Sequence, residues 1–405
     1  MTSPAVTPPA PEVRAARPEE AEATLQTLCA AFGLDTDAAR PIFYGDPFYD
    51  ISHKRILTLP GQGVVSCLTL VPALLRVGGV PVAAAGIAGV ATRPHLQRRG
   101  HAQALIGATV PALWDELGCP LSLLHALSAS FYRRSGWEHA TRAARWAAVP
   151  AALPHHPEAA RVRPARDGDW GAIRRVHAQE SQAGTATCVR DDRRWALIRL
   201  PVPGREAWVY EDGPAGDAGD GVTGYLLWER RETLELLEMH GHTERACRGL
   251  AGHLAAQPDA LVEWHTSPAL LARLGLPPSQ APPEPDTMLR IVDLGGALAA
   301  VHAAHYAPVL AEDGATLTVF AADALRPENA RPLRLTPQGV VAGASDGSPW
   351  LRAGIGTLAQ LYLGYHTPSE ACAVGLLSSD SPDTLALADR LFPARQPYLA
   401  PLDQV

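Results

Sequence analysis

A chain of 405 residues is too long for one ordinary domain, and its 47% hydrophobic content is ample for about two or three packed cores. A formal charge of −7 argues against a general nucleic-acid binder and suits a cationic small substrate. The cysteines (Cys29, Cys67, Cys119, Cys188, Cys247 and Cys372) stand far apart with no C-x-x-C pair. That spacing points to buried thiols in a reducing compartment, rather than disulfides or a metal site.

Residues 1–11 lack the apolar core of a secretory signal and read as a disordered lead-in. No uncharged apolar run is expected to reach the roughly 18 residues of a membrane span, so the expected location is the cytoplasm, with no membrane partner. From Pro18, "PEEAEATLQTLCAAFG" predicts a helix with an acidic first turn and Gly33 as its C-cap. "GVVSCLTLV", "LLRVGG" and "PVAAAGIAGVA" predict successive strands of a meander. Between Arg99 and Leu117, the residues Ala102, Leu105, Ile106, Thr109, Leu113 and Leu117 keep helical spacing. Pro111 should bend this helix, and Gly118 and Pro120 should end it. "LSLLHAL" is the next strand.

The Pro/His-rich joint "VPAALPHHPEAA" sets a boundary near residue 150. A second unit opens with "RVRPARDGDWGAIRRVHAQE", similar in character to the first helix. Strands "EAWVY", "GYLLWE" and "TLELLEM" follow, then a helix from Thr243 to Ala256. "GLPPSQAPPEPD" marks a second boundary near 285. The last unit has strands "TMLRIVDL", "TLTVF" and "LRLTPQGVVAG", and a helix "IGTLAQLYLGY". A capping box follows at Thr367 and Glu370, with Pro368 at N1, and "SPDTLALADRLF" is the final helix. Pro393, Pro397 and Pro401 make the tail extended and stiff. The expected domains are 12–150, 151–285 and 286–405.

The stretch "GVATRPHLQRRGHAQALI" clusters arginines around a glycine where a strand hands over to a helix. A helix start exposes backbone N–H groups and a partial positive charge. Glycine lets the backbone approach a ligand closely, and arginines supply charge-assisted contacts to phosphate oxygens. The arrangement reads as a pyrophosphate cradle.

Gln97-Arg98-Arg99-Gly100-His101-Ala102 resembles the Q/R-x-x-G-x-G/A signature of GNAT-superfamily acetyltransferases, which bind the pyrophosphate of acetyl-CoA. Further on, "SFYRRSGWEHA" resembles the family's Y-x-x-x-G-F/Y segment, with Tyr132, Gly136 and Trp137 in the matching places. Two GNAT-like units followed by a sterol-carrier-like unit is similar to the layout of the Eis (enhanced intracellular survival) acetyltransferases. "MLRIVDLGGAL", "IGTLAQLYLGY" and "LFPARQPYLAPLDQV" look like that family's third domain and tail.

The resemblance implies an α+β fold: two tandem GNAT folds, each a mostly antiparallel sheet flanked by helices, and a sterol-carrier-like C-terminal domain. It implies acetyl-CoA as cosubstrate, no metal, and a homohexamer. The acceptor would be a primary amine of an aminoglycoside- or polyamine-like cation, or a lysine side chain.

Acetyl transfer needs a neutral amine and a proton for the leaving thiolate. By the resemblance, Gly89, Val90 and Ala91 pair with the pantetheine arm, and one N–H there polarises the thioester carbonyl. Tyr132 matches the general acid, and Ser128, Ser130 and Phe131 line the cofactor. The family's base is the C-terminal carboxylate, here that of Val405, where relatives usually end in an aromatic residue. A free terminal carboxylate, of pKa about 3.5, needs burial to act as a base. Asp403 is the second candidate.

The second unit departs from the motif. Around Arg248-Gly249-Leu250-Ala251 the place of Gln97 is taken by Ala246, and Thr243 as N-cap would bury the Arg-Gly pair inside the helix. It reads as a non-catalytic GNAT relic. Gly343-Ala344-Ser345-Asp346-Gly347 fits G-x-S-x-G, but the "DGSPW" that follows is turn chemistry, not a nucleophile elbow. His302 and His305 could share a helix face but lack a third metal ligand. Two other readings stay open: a carrier of lipids or apolar small molecules, and a non-catalytic acetyl-CoA-sensing scaffold.

Overall fold

The computed structural model describes residues 11–212, 221–344 and 347–404. The first sheet grows from β1 (Glu12–Ala15), β2 (Lys54–Leu59), β3 (Gly63–Val77) and β4 (Val80–Thr92), each antiparallel to the one before. "GVVSCLTLV" and "LLRVGG", expected as separate strands, are one: β3 runs for 15 residues through both. Gly78 and Gly79, at φ 54° and 87°, turn it into β4 as a two-residue hairpin. Helix α1 (Ala21–Phe32) ends at Gly33, at φ 67°, and packs on β3 and β4. Helix α2 (Thr36–Gly45) starts where the Asp35 side chain accepts from the Ala38 N–H. Helix α3 (His101–Asp115) carries Pro111 inside it and leads to β5 (Leu121–Leu124), which is parallel to β4.

Beyond helix α4 (Ala129–Arg133) and β6 (Glu138–His139) the sheets exchange strands. The next strand, β7 (Arg142–Ala148), expected in the first unit, joins the second sheet instead. That sheet holds β8 (Val162–Pro164), β9 (Arg205–Glu211), β10 (Val222–Arg230), β11 (Leu234–Gly241) and β12 (Val262–Thr266). With β13 (Glu284–Pro285) its order is β13-β7-β12-β11-β10-β9-β8. Its helices include α5 (Trp170–Ser181), α6 (Asp192–Ile198) and α7 (Glu244–Ala255). Conversely β14 (Met288–Ile291), expected to open the third unit, inserts between β5 and β6 of the first sheet, antiparallel to both. The expected cuts near 150 and 285 therefore fall where the sheets trade strands. The physical reason is the edge of β5: left open, it would present a row of unpaired backbone groups. All of β14 is buried in covering it.

The third unit has the sheet β17-β16-β15-β18-β19, from β15 (Leu317–Ala322), β16 (Leu333–Thr336), β17 (Gly339–Ala342), β18 (Trp350–Gly354) and β19 (Leu377–Ser379). The capping box forms: Thr367 accepts from the Glu370 N–H, and Glu370 accepts from the Thr367 N–H. One expectation fails here. Leu294–Asp313, 20 residues, is by length and composition a helix that could cross a membrane. Its apolar face is instead used within the protein: Leu294, Leu298, Val301, Tyr306 and Leu310 are buried in the third unit's core.

Arg290 of β14 joins the first sheet to the third unit. Its guanidinium, fully buried, donates to both oxygens of Asp323 at 2.8 and 2.6 Å and to the Ser135 carbonyl. It lies 5.5 Å from the Trp137 ring centroid. Gly136, at φ 82°, makes room for it, since a Cβ there would fall 1.9 Å from Nη1. Removing one partner of a buried pair leaves an uncompensated charge. Arg290→Ala should therefore destabilise the protein by about 3–5 kcal/mol. The urea unfolding midpoint checks this, and an unchanged midpoint would contradict it.

Candidate active site

β4 and β5 pair only where Ala84, Ala85 and Gly86 meet Leu121, Ser122 and Leu123. Past Gly86, β4 continues to Thr92 beside β3 alone, so a gap opens between the two parallel strands. The β3–β4 register shifts between Cys67 and Thr69, and the extra residues on β4 are Gly89 and Val90. Gly89 is left-handed at φ 58°, and a Cβ there would stand 3.0 Å from Leu28 Cδ1 of α1. The bulge twists the backbone of Gly89, Val90 and Ala91 at an edge that β5 does not cover.

The loop between β4 and α3 follows. Gln97 turns back, its side-chain amide donating to the Thr92 carbonyl at 3.2 Å. Arg98 is left-handed at φ 61°, a conformation that costs a non-glycine residue about 1–2 kcal/mol. Such strain gathers at functional sites. Gly100, at φ 84°, is the N-cap, and α3 starts at His101. The Ala104 N–H closes the first helical bond on the Gly100 carbonyl at 2.9 Å, so the amides up to Gln103 have no acceptor within the helix. A Cβ on Gly100 would meet nothing within 4 Å. Arg98, Arg99 and Gly100 are exposed, with His101 and Ala102 half-buried beside them. Free amides, two arginines and open space above a glycine fit a pyrophosphate group.

On the far side of β5, Ser128 is the N-cap residue of α4, yet its hydroxyl faces Ser130 Oγ at 3.2 Å instead of a helix amide. Phe131 and Tyr132 meet edge to face with centroids 4.8 Å apart. Both pack on the core that also takes Val90 of the bulge and Leu105 and Ile106 of α3. Bulge, cradle helix and tyrosine thus share one core. Burial raises the Tyr132 phenol above its ordinary value and keeps it protonated at neutral pH.

The tail is tied down along its length. The Pro397 carbonyl accepts from the Arg142 N–H at 3.1 Å, and the Tyr398 N–H donates to the Thr185 carbonyl at 3.2 Å. Pro401–Asp403 form one 3-10 turn where extended chain was expected, with Pro401 in the N1 place that suits it. Asp403 is not available as a base. Its two oxygens accept from Arg190 Nε and Nη2 at 2.8 and 2.9 Å. Arg190 also donates to both oxygens of Glu238 at 2.9 and 2.8 Å, and all three residues are buried. Burial alone would raise Glu238; the Arg190 charge outweighs it and holds the carboxyl well below the usual range. Val405 and its carboxylate lie outside the described residues.

Gln404 Nε2 donates to Asp286 Oδ2 at 3.0 Å, and Asp286 Oδ1 stands 3.4 Å from Nδ1 of the exposed His125, the residue that follows β5. The last described residue of the chain therefore sits near the open end of the first sheet. Sequence reasoning missed His125 and Asp286. The available signal was the histidine within "LSLLHAL", directly after the C-terminal end of a sheet strand.

In the second unit Thr243 caps α7, accepting from the Ala246 N–H at 3.1 Å. Gly249 lies inside that helix, and a Cβ there would be 2.4 Å from the Tyr210 ring. Gly249 there serves packing, while Arg248 is exposed and pairs with Glu244 on the same helix. His302 and His305 contact the carbonyls of Thr336 and Val77 at 2.7 and 3.0 Å, and among the described residues no three candidate metal ligands cluster. Ser345 and Asp346 of the G-x-S-x-G stretch lie outside the described residues.

Residues 12–140 match the family model of the acetyltransferase (GNAT) domain. The chain carries a GNAT acetyltransferase domain. Residues 297–400 match the sterol carrier protein domain. Solved GNAT structures share the fold along almost the whole chain. A GCN5-related N-acetyltransferase from Anabaena variabilis superposes with a TM-score of 0.81 at 21% identity, covering 98% of this chain and 100% of that one. A second, from Kribbella flavida, gives 0.79 at 22%, covering 98% of each. Eis1 from Mycobacterium abscessus gives 0.74 at 22%, covering 96% and 99%. No curated protein matches the sequence. The GNAT domain supports acyl transfer as the chemistry of this site.

The left-handed Arg98 separates fold from ligand. Arg98→Gly relieves its backbone strain, so thermal stability should hold or rise, while affinity for a pyrophosphate-bearing ligand should fall by about 1–3 kcal/mol with the lost charged hydrogen bonds. Calorimetric affinity left unchanged would show that the loop holds no phosphate.

Proposed function

We infer that this protein is an acetyl-CoA-dependent N-acetyltransferase. Its acceptor is the primary amine of an aminoglycoside- or polyamine-like cation, or of a lysine side chain. One observation carries the reading: where β4 and β5 part, the anion cradle follows β4, and half-buried Tyr132 and the tail's contact with Asp286 lie beyond the end of β5.

The roles follow from the chemistry. Gln97 to Ala102 hold the pyrophosphate, and Gly89, Val90 and Ala91 offer backbone groups to the pantetheine arm, flanked by Ser128 and Phe131. The carboxylate of Val405 takes a proton from the amine, and His125, beside Asp286, can pass it to solvent. The amine nitrogen then bonds to the acetyl carbon, an N–H at the bulge steadies the oxyanion, and the carbon–sulfur bond breaks. Tyr132 donates its phenolic proton to the leaving thiolate. The net charge of −7 suits a cationic acceptor.

The sequence resemblance to the Eis acetyltransferases is the ground for proposing, in addition, a homohexamer in the cytoplasm.

Incubation with acetyl-CoA and a panel of aminoglycosides and polyamines should release free thiol together with acetylated amine; no release with any amine would contradict the reading. Tyr132→Phe should lower kcat by about 10²–10⁴-fold with acetyl-CoA affinity intact. Full turnover in that variant would leave Tyr132 a packing residue.

A further inference from the structure

The second unit repeats the geometry of the first unit's site, and the tail lies in it. β11 and β12 pair in parallel only from Leu234, Glu235 and Leu236 to Val262, Glu263 and Trp264. β11 then runs on to Gly241 without β12, as β4 runs on past Gly86. The β10–β11 register shifts as well, with Leu237 as the extra residue, the counterpart of the bulge at Gly89. In this opening a cavity of about 220 Å³ is bounded by His177, Glu238 and His240 of the second unit and by Tyr398, Ala400 and Asp403 of the tail.

We propose that the second unit's crevice is a receptor for the chain's own C-terminal segment, and that Arg190 is the positioning residue that sets where the chain ends. The proposal rests on the reading that the terminal carboxylate is the base.

The geometry of Arg190 is that of a clamp. One edge of its planar guanidinium grips Asp403 and the other grips Glu238, each through two hydrogen bonds. A bidentate pair on both sides fixes orientation as well as distance, which a lysine could not do. The Trp195 ring lies over the guanidinium at 4.9 Å. Tyr225 donates to Glu238 at 2.9 Å, and His240 Nε2 is 3.3 Å from the same carboxylate. His177 is pushed down to about 4, by burial and then by the Arg190 charge, so it stays neutral at neutral pH. A buried charge group of this kind is strongly disfavoured when one member leaves, so the clamp is closed or broken rather than loose.

Arg190 is also referenced to the first unit. The segment before it pairs with β3: Arg76 N–H to Thr187 O at 2.8 Å, Ala186 N–H to Arg76 O at 2.8 Å, and Val189 N–H to Leu74 O at 2.7 Å. The clamp therefore hangs from the sheet that contains the site. Asp403 is two residues from the chain end, within about 7 Å of backbone. Asp403 adds a charged anchor to the hydrogen bonds of Pro397, Tyr398 and Gln404 along the tail.

The tail itself is the probe. Asp403→Asn leaves the Arg190–Glu238 pair and is the variant expected to fold; Arg190→Lys and Arg190→Met complete the series. In Asp403→Asn, amide hydrogen exchange at Tyr398, Asp403 and Gln404 should quicken by about tenfold or more, with the three cores unchanged. In the same variant kcat should fall by about 10–100-fold with KM for acetyl-CoA unchanged. Arg190→Lys should lie between wild type and Arg190→Met. In a chain lacking Val405, Arg190→Met should cause no further loss of kcat, because it acts only through the tail. Unchanged tail exchange in both Asp403→Asn and Arg190→Met would overturn the clamp, as would a further loss in the truncated chain. A released tail with full kcat would instead remove the terminal carboxylate as base, and with it the catalytic consequence of Arg190, while leaving the tail receptor standing.

Discussion

The return of β14 to the first sheet is the constraint on which the rest depends. A four-residue strand closes the open edge of β5 and cannot do so without bringing its neighbours along. Arg290 arrives with it and locks Asp323 of the third unit against the Ser135 turn. Asp286, just before the strand, arrives beside His125 and receives Gln404. β7 leaves in the other direction to complete the second sheet. The three units cannot separate without opening two sheets, so a tail from the third can be held against the first to within the tolerance that catalysis demands.

Within that frame the site is made mainly by backbone. β4 and β5 stay together for three residues and then part, because the bulge at Gly89 and Val90 turns one of them away. The left-handed turns at Arg98 and Gly100 leave a helix start bare. These are costs to folding that a merely structural unit would have little reason to keep. The second unit has kept the parting of β11 and β12 but lost the bare helix start, since Thr243 caps α7 and Gly249 packs against Tyr210. Its crevice faces the tail instead.

Local signals in the sequence were legible where the physics is local. Gly33, Gly100, Thr243 and Thr367 declare helix ends within a few residues, and the structure has each at a helix end. Tyr132 and the "QRRGHA" turn were singled out through a family pattern. What failed was partner choice. "MLRI" is a strand in any reading, but four apolar residues do not say which sheet they join. Pro72 falls between "GVVSCLTLV" and "LLRVGG", read as two strands, yet it stays in register opposite Ala85 of β4. The Leu294–Asp313 run contains histidines and glycines, and only packing shows that its apolar face is spent on a core. Asp403 looked like a free carboxylate because nothing near it in sequence announces Arg190.

The central claim is that the charge at the chain's end, rather than any side chain near it, takes the proton from the amine. A semisynthetic protein whose C-terminal carboxylate is replaced by a carboxamide changes that charge and almost nothing else. The kcat of the carboxamide protein under saturating acetyl-CoA and amine is the direct measurement. The account predicts a fall of about 100-fold or more, with acetyl-CoA affinity and tail hydrogen exchange unchanged. A carboxamide protein that turns over at the wild-type rate would contradict it.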